Sequence, residues 1–524
     1  MNTMTVGKLF DMSVQYYADA PAIRHMGKTT TYREMGLQAD CLTRAFRTIK
    51  LRKGERVAFL TGNCPEYIIC EYAVSKAGLV KVPLAALLKP EAHIYMLNHS
   101  EASVLIYHEK MAGRVKEMIP HLDTVKHYIC VGTKSDLFQE DHFLLSELLQ
   151  DANTDKVEEE DIQPEDLFAI YYTGGTTGRP KGVLLSNKAW VNTVVLEMLE
   201  LGFEREEVFA CMTPLTHGAG CLILPILLRK GTCLILDGFD PDYFLEMVEK
   251  EKITSTFIVP TMVYILLEHP QLHTYNLQSL RNLVYGASAI APERLKQAID
   301  IFGPIFTQLY GQTEAPMMIS VLPKEDHVIA NQEREKQIFT SCGRPTILSQ
   351  VKIVDENMKE VPQGEVGEIL SLSPNVMDGY YKDREATEET LKNNWLCTGD
   401  LGWQDQAGYL YIVDRLKDMI VSGGFNVYPR EIEDVLHEHP SVSNVAVIGV
   451  PHDKWGEAVK AVVHLNKEVQ ATEQEIIDFV KERKGSLAAP KSVDFWDQIP
   501  LTNLGKIDKK KIREFFWQDR DRKV

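Results

Sequence analysis

The chain has 524 residues, 44% of them hydrophobic, which is enough for more than one hydrophobic core. Its 74 acidic residues against 57 basic ones give a net charge of −17, which argues against a nucleic-acid-binding surface. The nine cysteines form no CxxC pair, so we expect neither a disulfide framework nor a cysteine metal site. The sequence shows no basic leader before an apolar core and no run of about 18 apolar residues. We therefore expect a cytoplasmic protein without an integral membrane segment.

Short β-branched runs alternate with helical patterns from Arg56 onward. The runs at 57–60, 79–82 and 104–107 are separated by helical patterns at 66–76 and 92–98. Such alternation is typical of a parallel sheet covered by helices.

A loop rich in glycine, threonine and lysine follows this first lobe. Glycine lets the backbone N–H groups approach a polyphosphate closely, and the hydroxyls and the lysine add further donors. Pro180 and the strand pattern at 183–185 distinguish the loop from the Walker motif, which continues into a helix. The sequence therefore predicts a different kind of nucleotide-phosphate loop, formed by Thr173, Gly174, Gly175, Thr176, Thr177, Gly178 and Lys181.

The strand and helix alternation resumes at 208–211, 232–236, 256–259 and 282–285, which predicts a second α/β lobe. Beyond about Pro345 a strand and turn pattern predicts a small β unit. A charged break at 414–418 precedes β-α-β patterns that form a domain of ordinary size. We predict an α/β fold with a large N-terminal domain (1–413) of two doubly wound lobes plus the small β unit, a hinge (414–417) and a small mobile α+β C-terminal domain (418–524).

Four further segments occur in a fixed order after the phosphate loop: Tyr285-Gly286-Ala287-Ser288, Leu309-Tyr310-Gly311-Gln312-Thr313-Glu314, Trp395-Leu396-Cys397-Thr398-Gly399-Asp400 and Pro500-Leu501-Thr502-Asn503-Leu504-Gly505-Lys506-Ile507-Asp508. Together with the loop they resemble the adenylate-forming superfamily, which includes acyl-CoA synthetases, firefly luciferase and peptide-synthetase adenylation domains. The resemblance spans Thr173 to Asp508.

The resemblance implies a two-step reaction with ATP, Mg²⁺ and coenzyme A. A carboxylate attacks the α-phosphate of ATP, and a thiol then displaces AMP from the acyl-adenylate. The loop from Thr173 to Lys181 would hold the β- and γ-phosphates, Thr313 the α-phosphate and Glu314 the magnesium ion. The adenine slot would comprise backbone groups of Gly286, Ala287 and Ser288 and the ring of Tyr310, and Gly311 and Gln312 would also bind the nucleotide. Asp400 would accept the two ribose hydroxyls and Arg415 would support them.

The same resemblance implies that Lys506 is the catalytic cation for adenylation, because charge gathers between the acyl carboxylate and the α-phosphorus. No general base is needed, since the attacking carboxylate is already an anion. The hinge would pivot at Lys417, and Gly423 and Gly424 would swing in to shape the pantetheine tunnel. Gly174 stands where related loops commonly have serine, a change that could weaken ATP binding by about 1 kcal/mol.

The sequence defines the carboxylic acid substrate less closely than it defines the nucleotide. The segment 213–220 has no carboxylate to hold an α-ammonium group, which argues against an amino acid substrate. His217 would orient the reacting carboxylate. The expected pocket is apolar and partly small, which favours a medium- or long-chain fatty acid, with a benzoate- or cinnamate-type acid second; its residues are His217, Val259, Met262, Ala287, Gly311, Ala315, Pro316 and Met317.

Three alternatives to an acid:CoA ligase stay open. An acyl-AMP ligase would load a carrier-protein phosphopantetheine, although its usual insertion before the hinge is not evident. A luciferase-like oxidase is more distant. A catalytically inactive nucleotide-binding regulator should lack Lys506, Glu314 or Asp400, and all three are present. The oligomeric state is left open, a homodimer included.

Overall fold

The computed structural model of the protein describes residues 4–133, 142–150, 153, 155–173, 180–422, 425–452, 454–466, 469–501 and 507–517. The packing divides the chain into two units. The first unit comprises Met1–Gln350 and Ser371–Leu396, and the second comprises Val351–Leu370 and Cys397–Val524. The predicted small β unit thus contributes strands to the second unit, while the hinge at 414–417 stays a prediction.

Helices and strands alternate along the N-terminal third of the chain. In chain order they are α1 (Val6–Tyr17), β1 (Pro21–His25), β2 (Lys28–Thr31), α2 (Tyr32–Thr48), β3 (Arg56–Leu60), α3 (Pro65–Lys76), β4 (Val80–Pro83), α4 (Pro90–Ser100), β5 (Ala102–His108), α5 (Ala112–Met118), β6 (His127–Val131), β7 (His142–Leu144), α6 (Leu145–Leu148), β8 (Leu167–Thr173) and β9 (Lys181–Ser186).

The central part of the chain continues this alternation. Its elements are α7 (Asn187–Glu200), β10 (Val208–Cys211), α8 (Gly218–Cys221), α9 (Ile223–Leu228), β11 (Thr232–Ile235), α10 (Pro241–Glu251), β12 (Ser255–Ile258), α11 (Pro260–Leu267), β13 (Asn282–Tyr285), α12 (Pro292–Phe302), β14 (Phe306–Gln312), β15 (Ala315–Leu322), α13 (Gln332–Phe339) and β16 (Arg344–Pro345).

Short strands dominate the remainder of the chain. They and the intervening helices are β17 (Gln350–Val354), β18 (Gly367–Leu372), β19 (Gly379–Tyr380), α14 (Arg384–Thr390), β20 (Leu391–Lys392), β21 (Trp395–Gln404), β22 (Leu410–Arg415), β23 (Ile420–Ser422), β24 (Phe425–Val427), α15 (Pro429–His437), β25 (Val442–His452), β26 (Gly456–Leu465), α16 (Glu473–Ala488), β27 (Ser492–Phe495) and α17 (Lys509–Phe516).

One sheet of the first unit has the order β19-β9-β8-β4-β3-β5-β6-β7. Strands β8, β4, β3, β5, β6 and β7 run parallel, and β8 and β9 form an antiparallel pair. The three strand runs predicted between residues 57 and 107 are confirmed as β3, β4 and β5. The helices between these strands begin at local start signals, because α3 and α4 both carry proline in the first turn.

The other sheet of the first unit has the order β16-β15-β14-β13-β12-β10-β11-β1-β2. Strands β10 to β13 of the predicted second lobe are confirmed, and β1, β11, β10, β12, β13 and β14 are parallel. The N-terminal strands β1 and β2 also belong here, which the sequence analysis did not anticipate. Apolar side chains from β10, β12, β13, α10, α11 and α12 pack into one core beside this sheet.

The second unit contains two small sheets. Strands β17, β18 and β21 are neighbours with β22 paired on β21, and the other sheet has the order β24-β23-β26-β25 with β27 on β26. Helices α15 and α16 close an apolar core over the second of these sheets. Among the described residues, no helix is both long and apolar enough to cross a membrane.

Candidate active site

The predicted phosphate loop connects the two antiparallel strands β8 and β9. Thr173 ends β8 and lies directly opposite Lys181, which begins β9. The hairpin therefore holds the first threonine and the lysine of the loop side by side. Five of the predicted loop residues lie outside the described part of the chain: Gly174, Gly175, Thr176, Thr177 and Gly178.

Tyr380 connects the phosphate loop to the Gln-Thr-Glu segment. The Nζ of Lys181 lies 4.9 Å from the centre of the Tyr380 ring, a cation–π distance. The hydroxyl of Tyr380 donates a 2.7 Å hydrogen bond to Oε1 of Glu314. Burial, and next the neighbouring Glu314, raise the pKa of Tyr380, so the hydroxyl stays a donor at neutral pH.

The backbone fixes this arrangement from both ends. Tyr380 lies on β19, whose pairing with β9 sets it opposite Val183. The N–H of Met377 donates a 2.8 Å hydrogen bond to the carbonyl of Glu314. The sequence analysis missed Tyr380, because no local pattern shows that a residue this far along the chain returns to the loop.

Thr313 and Glu314 form the turn between β14 and β15, since Gln312 pairs with Ala315 across it. The turn is tightly packed at Gly311. A Cβ atom at Gly311 would lie 2.5 Å from the carbonyl carbon of Met317, and Met317 itself has a left-handed φ of 62°. Met317 therefore adopts a strained backbone conformation beside the close approach of Gly311, and such local constraint is common near functional sites.

Several predicted residues lie at the carboxyl edge of the nine-stranded sheet. Strands β10, β12, β13 and β14 are parallel neighbours, so their carboxyl ends lie along one edge, where α/β proteins bind ligands. Val259 and Gly286 follow the paired residues Ile258 and Tyr285 directly. Tyr310 lies two residues beyond Gln308, the β14 partner of Tyr285.

The predicted adenine slot follows β13 at this edge. Ala287 has a left-handed φ of 68°, and both Ala287 and Ser288 are exposed. Behind the slot, the hydroxyl of the buried Tyr285 lies 3.1 Å from Nε2 of His327, whose Nδ1 lies 2.9 Å from the carbonyl of Pro323. Burial lowers the pKa of His327 to about 4, so Nδ1–H donates to Pro323 and Nε2 accepts from Tyr285.

The residues of the predicted acid pocket differ in their exposure. His217 is the N-cap of α8 and Val259 the N-cap of α11, and both are half-buried. Met262 packs against the core beside the sheet, as an ordinary core side chain would. Ala315 and Pro316 are buried in β15 and Met317 is half-buried.

Asp400 and Arg415 contact each other within the second unit. They are paired on β21 and β22, and Nε of Arg415 lies 2.6 Å from Oδ1 of the buried Asp400. Burial lowers the pKa of Lys417, and Asp418 opposes this shift. The side chain of Asp418 accepts a 2.5 Å hydrogen bond from Arg513. Gly423, Gly424 and Lys506 lie outside the described residues.

A magnesium ion fits the chemistry at Glu314. No group of three or more histidine, cysteine, aspartate or glutamate side chains gathers for a metal within the described ranges. Mg²⁺ commonly needs only one or two carboxylates together with substrate phosphates. Glu314 supplies such a hard oxygen ligand in the turn that follows β14.

Two family models match the chain: AMP-binding enzyme over residues 10–381 and AMP-binding enzyme C-terminal domain over residues 431–506. The Medium/long-chain-fatty-acid--CoA ligase FadD8 of Mycobacterium tuberculosis is 40% identical, over 92% of this chain and 84% of that protein. The feruloyl-CoA synthase of an Amycolatopsis species is 36% identical, over 95% of this chain and 96% of that protein.

Among solved structures, the amide bond synthetase McbA from Marinactinospora thermotolerans superposes with a TM-score of 0.86 at 30% identity, covering 97% of this chain and 99% of that one. The predicted α/β fold, with a large N-terminal and a small C-terminal part, is confirmed by this likeness. The predicted reaction class, an acid–thiol ligase, is confirmed by the curated relatives. The chain belongs to the family of AMP-binding enzymes.

Proposed function

We propose that this protein is an ATP-dependent acid:CoA ligase. In the first step a carboxylate oxygen attacks the α-phosphorus of ATP, the bond to pyrophosphate breaks and an acyl-adenylate forms. In the second step the sulfur of CoA attacks the acyl carbon, the bond to AMP breaks and the thiol proton is released to solvent. The carboxylate needs no general base, because it is an anion at neutral pH.

The contacts of Lys181, Tyr380 and Glu314 carry this proposal. Pyrophosphate leaves with a large negative charge, which the Lys181 ammonium beside the loop would stabilise. Magnesium at Glu314 would neutralise phosphate charge when it is bound. Tyr380 would keep both groups in place, since its ring contacts the lysine and its hydroxyl holds the carboxylate.

The remaining nucleotide contacts are proposals from the same chemistry. Backbone groups at 286–288 and the ring of Tyr310 would hold adenine at the edge of the sheet, with Gly311 and Gln312 beside it. Thr313 would donate to the α-phosphate. Asp400, held by Arg415 at 2.6 Å, would accept the ribose hydroxyls.

The second unit would supply residues whose roles differ between the two steps. Lys506 would stabilise the adenylation transition state, Lys417 would be the pivot, and Gly423 and Gly424 would serve the thiol step. These roles stay proposals.

The acid itself would lie beyond His217, against the pocket wall of Val259, Ala315, Pro316 and Met317. A medium- or long-chain fatty acid and an aryl acid are the two candidate substrate classes. We also propose a cytoplasmic enzyme, since none of the nine cysteines forms a disulfide. A homodimer is a further proposal, which sedimentation would test.

The first test is AMP formation with fatty, benzoic and cinnamic acids, with and without free CoA. CoA-dependent turnover of one series supports an acyl-CoA synthetase and identifies its substrate class. Adenylation that never yields an acyl-CoA would instead favour a ligase that loads a carrier-protein thiol.

A further inference from the structure

A group of polar side chains is buried in the first unit where α7 packs on β8 and β9. Lys81 on β4 and Glu71 on α3 form an ion pair with Nζ and Oε1 2.9 Å apart, and their side chains are 0% and 3% exposed. Glu197 on α7 is 0% exposed. We call these residues, with three neighbours, the buried polar cluster: Glu71, Lys81, Glu197, Tyr67, Tyr171 and Cys221.

Aromatic rings surround the lysine of the cluster. The Nζ of Lys81 lies 4.8 Å from the ring centre of Phe168, 5.1 Å from that of Trp190 and 5.3 Å from that of Tyr171. Faces of aromatic rings attract a cation at such distances. The amino group of Lys81 therefore lies among aromatic faces, in a position that water reaches poorly.

Many polar atoms of the cluster have no hydrogen-bond partner among the residues that the structure describes. They are Nζ of Lys81, Oε2 of Glu71, both carboxyl oxygens of Glu197 and the hydroxyls of Tyr67 and Tyr171. Nζ of Lys81 has the 2.9 Å ion-pair contact with Oε1 of Glu71, whereas Oε2 of Glu71 and both carboxyl oxygens of Glu197 lack a partner of this kind among the described residues. Each unsatisfied buried group costs about 1–3 kcal/mol, so this many at one place point to a further polar group that they bind.

The charges of the cluster indicate what kind of group that is. Burial raises the pKa of the Glu197 carboxyl well above its usual range, which favours the protonated form, a group that both donates and accepts. Lys81 and Glu71 cancel each other's charge. An ionic group would find no net opposite charge here, whereas a neutral hydroxyl finds both donors and acceptors.

Cys221 connects the cluster to the acid pocket. It ends α8, whose N-cap is His217, and its thiol donates to the His217 carbonyl at 3.7 Å. Burial first, and then Glu197, raise the pKa of Cys221, while Lys81 opposes the shift. Four helical residues rise about 6 Å, so the cluster begins about one helical turn beyond His217.

We propose that the buried polar cluster recognises an uncharged hydroxyl at the end of the acid substrate remote from its carboxylate. This inference rests on the proposed function and deepens it by naming a substrate class, the hydroxylated acids. The substrate hydroxyl donates to Oε2 of Glu71 and accepts from Glu197 or Lys81. The donors and acceptors of the cluster would bind such a hydroxyl whether the acid is aromatic or aliphatic.

The test compares acids that differ only in that hydroxyl: 4-hydroxycinnamic with cinnamic acid, and 8-hydroxyoctanoic with octanoic acid. Pyrophosphate release gives kcat/KM for each. For the wild-type protein we expect the hydroxylated member of at least one pair to be preferred about tenfold or more, because a site built to bind a hydroxyl rejects the analogue that lacks it. Glu197→Met should bring this ratio close to one, and Glu197→Gln should keep part of the preference.

Lys188→Met is the matched control, since Lys188 is exposed on the same helix and should leave the ratio unchanged. Should Glu197→Met fail to fold, the wild-type ratio and the thermal shift given by each acid pair still decide the matter. Equal kcat/KM and equal thermal shifts within both pairs would overturn the inference but not the proposed function. Absence of pyrophosphate release with every acid would overturn the proposed function and the inference with it.

Discussion

Tyr380 contacts both charged side chains that flank the candidate phosphate site. Its ring lies beside Lys181 and its hydroxyl donates to Glu314. The two functions of the side chain can be separated, because phenylalanine retains the ring and lacks the hydroxyl.

We expect Tyr380→Phe to lower kcat/KM for MgATP by about tenfold to a hundredfold, the effect of losing a hydrogen bond to a charged group. Pyrophosphate exchange at varied MgATP measures it. Tyr411→Phe is the control, since that hydroxyl binds Asp405 at 3.2 Å within the second unit. Equal losses in the two variants would show that Tyr380 does not position Glu314.

His327 makes the stability of the protein depend on pH. Its pKa is lowered by burial to about 4 in the folded state, against an ordinary value of 6.5. Between these values the unfolded chain binds a proton that the folded protein does not, so stability falls as the pH falls from 6.5 towards 4.

From pH 7 to pH 5 this residue should remove about 2 kcal/mol of the free energy of unfolding. Urea titrations at the two pH values measure the change. His327→Gln should reduce this pH-dependent loss of stability, because glutamine does not titrate. The other histidines contribute equally to the wild type and the variant. An identical pH dependence in the variant would contradict the assigned pKa shift.

Among individual residues, the sequence predicted those that belong to short motifs, such as Thr313 and Glu314. It did not predict Tyr380 or His327. Their roles come from packing against residues distant in the chain, which local spacing does not encode.

The backbone of the β14–β15 hairpin is closely constrained at the site. Gly311 approaches the backbone of Met317 so closely that a Cβ atom would lie 2.5 Å from the Met317 carbonyl carbon. Backbone atoms cannot move aside as the end of a flexible side chain can. The turn carrying Thr313 and Glu314 therefore depends on a glycine at this position.

Gly311→Ala should lower the free energy of unfolding by about 1–3 kcal/mol and reduce adenylation, because the added methyl displaces the turn. Gly113→Ala is the matched control: Gly113 lies in α5, where a Cβ would meet nothing within 4 Å, and alanine should add about 0.5–1 kcal/mol. Chemical denaturation measures both. A Gly311→Ala protein as stable and active as the wild type would contradict the close approach.

Alternating patterns predicted the strands β3, β4 and β5 of one sheet and β10 to β13 of the other, but not every strand that joins these sheets. β1 and β2 are short strands from the N-terminus that join the second sheet, with Ile23 paired to Cys233. A four- or five-residue strand carries a side-chain pattern but no information about a partner some 200 residues away.

At the scale of the whole molecule, the two units are not two consecutive stretches of the chain. Residues 351–370 pack with the C-terminal part although residues 371–396 return to the first unit. Such an interleaved path cannot be deduced from composition, because the boundary depends on which sheet each short strand joins.

The proposed reaction makes different demands on the chain in its two steps, and variants of the C-terminal region should separate them. Lys506→Ala should reduce adenylation by several orders of magnitude, because no other proposed group neutralises the charge between the carboxylate and the α-phosphate. It should spare the conversion of supplied acyl-AMP and CoA to thioester. Gly424→Leu should show the reverse, since a bulky side chain would obstruct the thiol but not ATP.

Each half-reaction is measured separately, adenylation by pyrophosphate release without CoA and thioester formation from synthetic acyl-AMP. Lys510→Ala is the control, because Lys510 is a nearby lysine whose contact is with Glu514 in the same helix. Equal loss of both half-reactions in Lys506→Ala would remove its assigned role, and unchanged thioester formation in Gly424→Leu would count against a swing of this segment between the steps. Opposite losses in the two variants would mean that the C-terminal region serves both steps through different residues, as a protein that changes conformation between them requires.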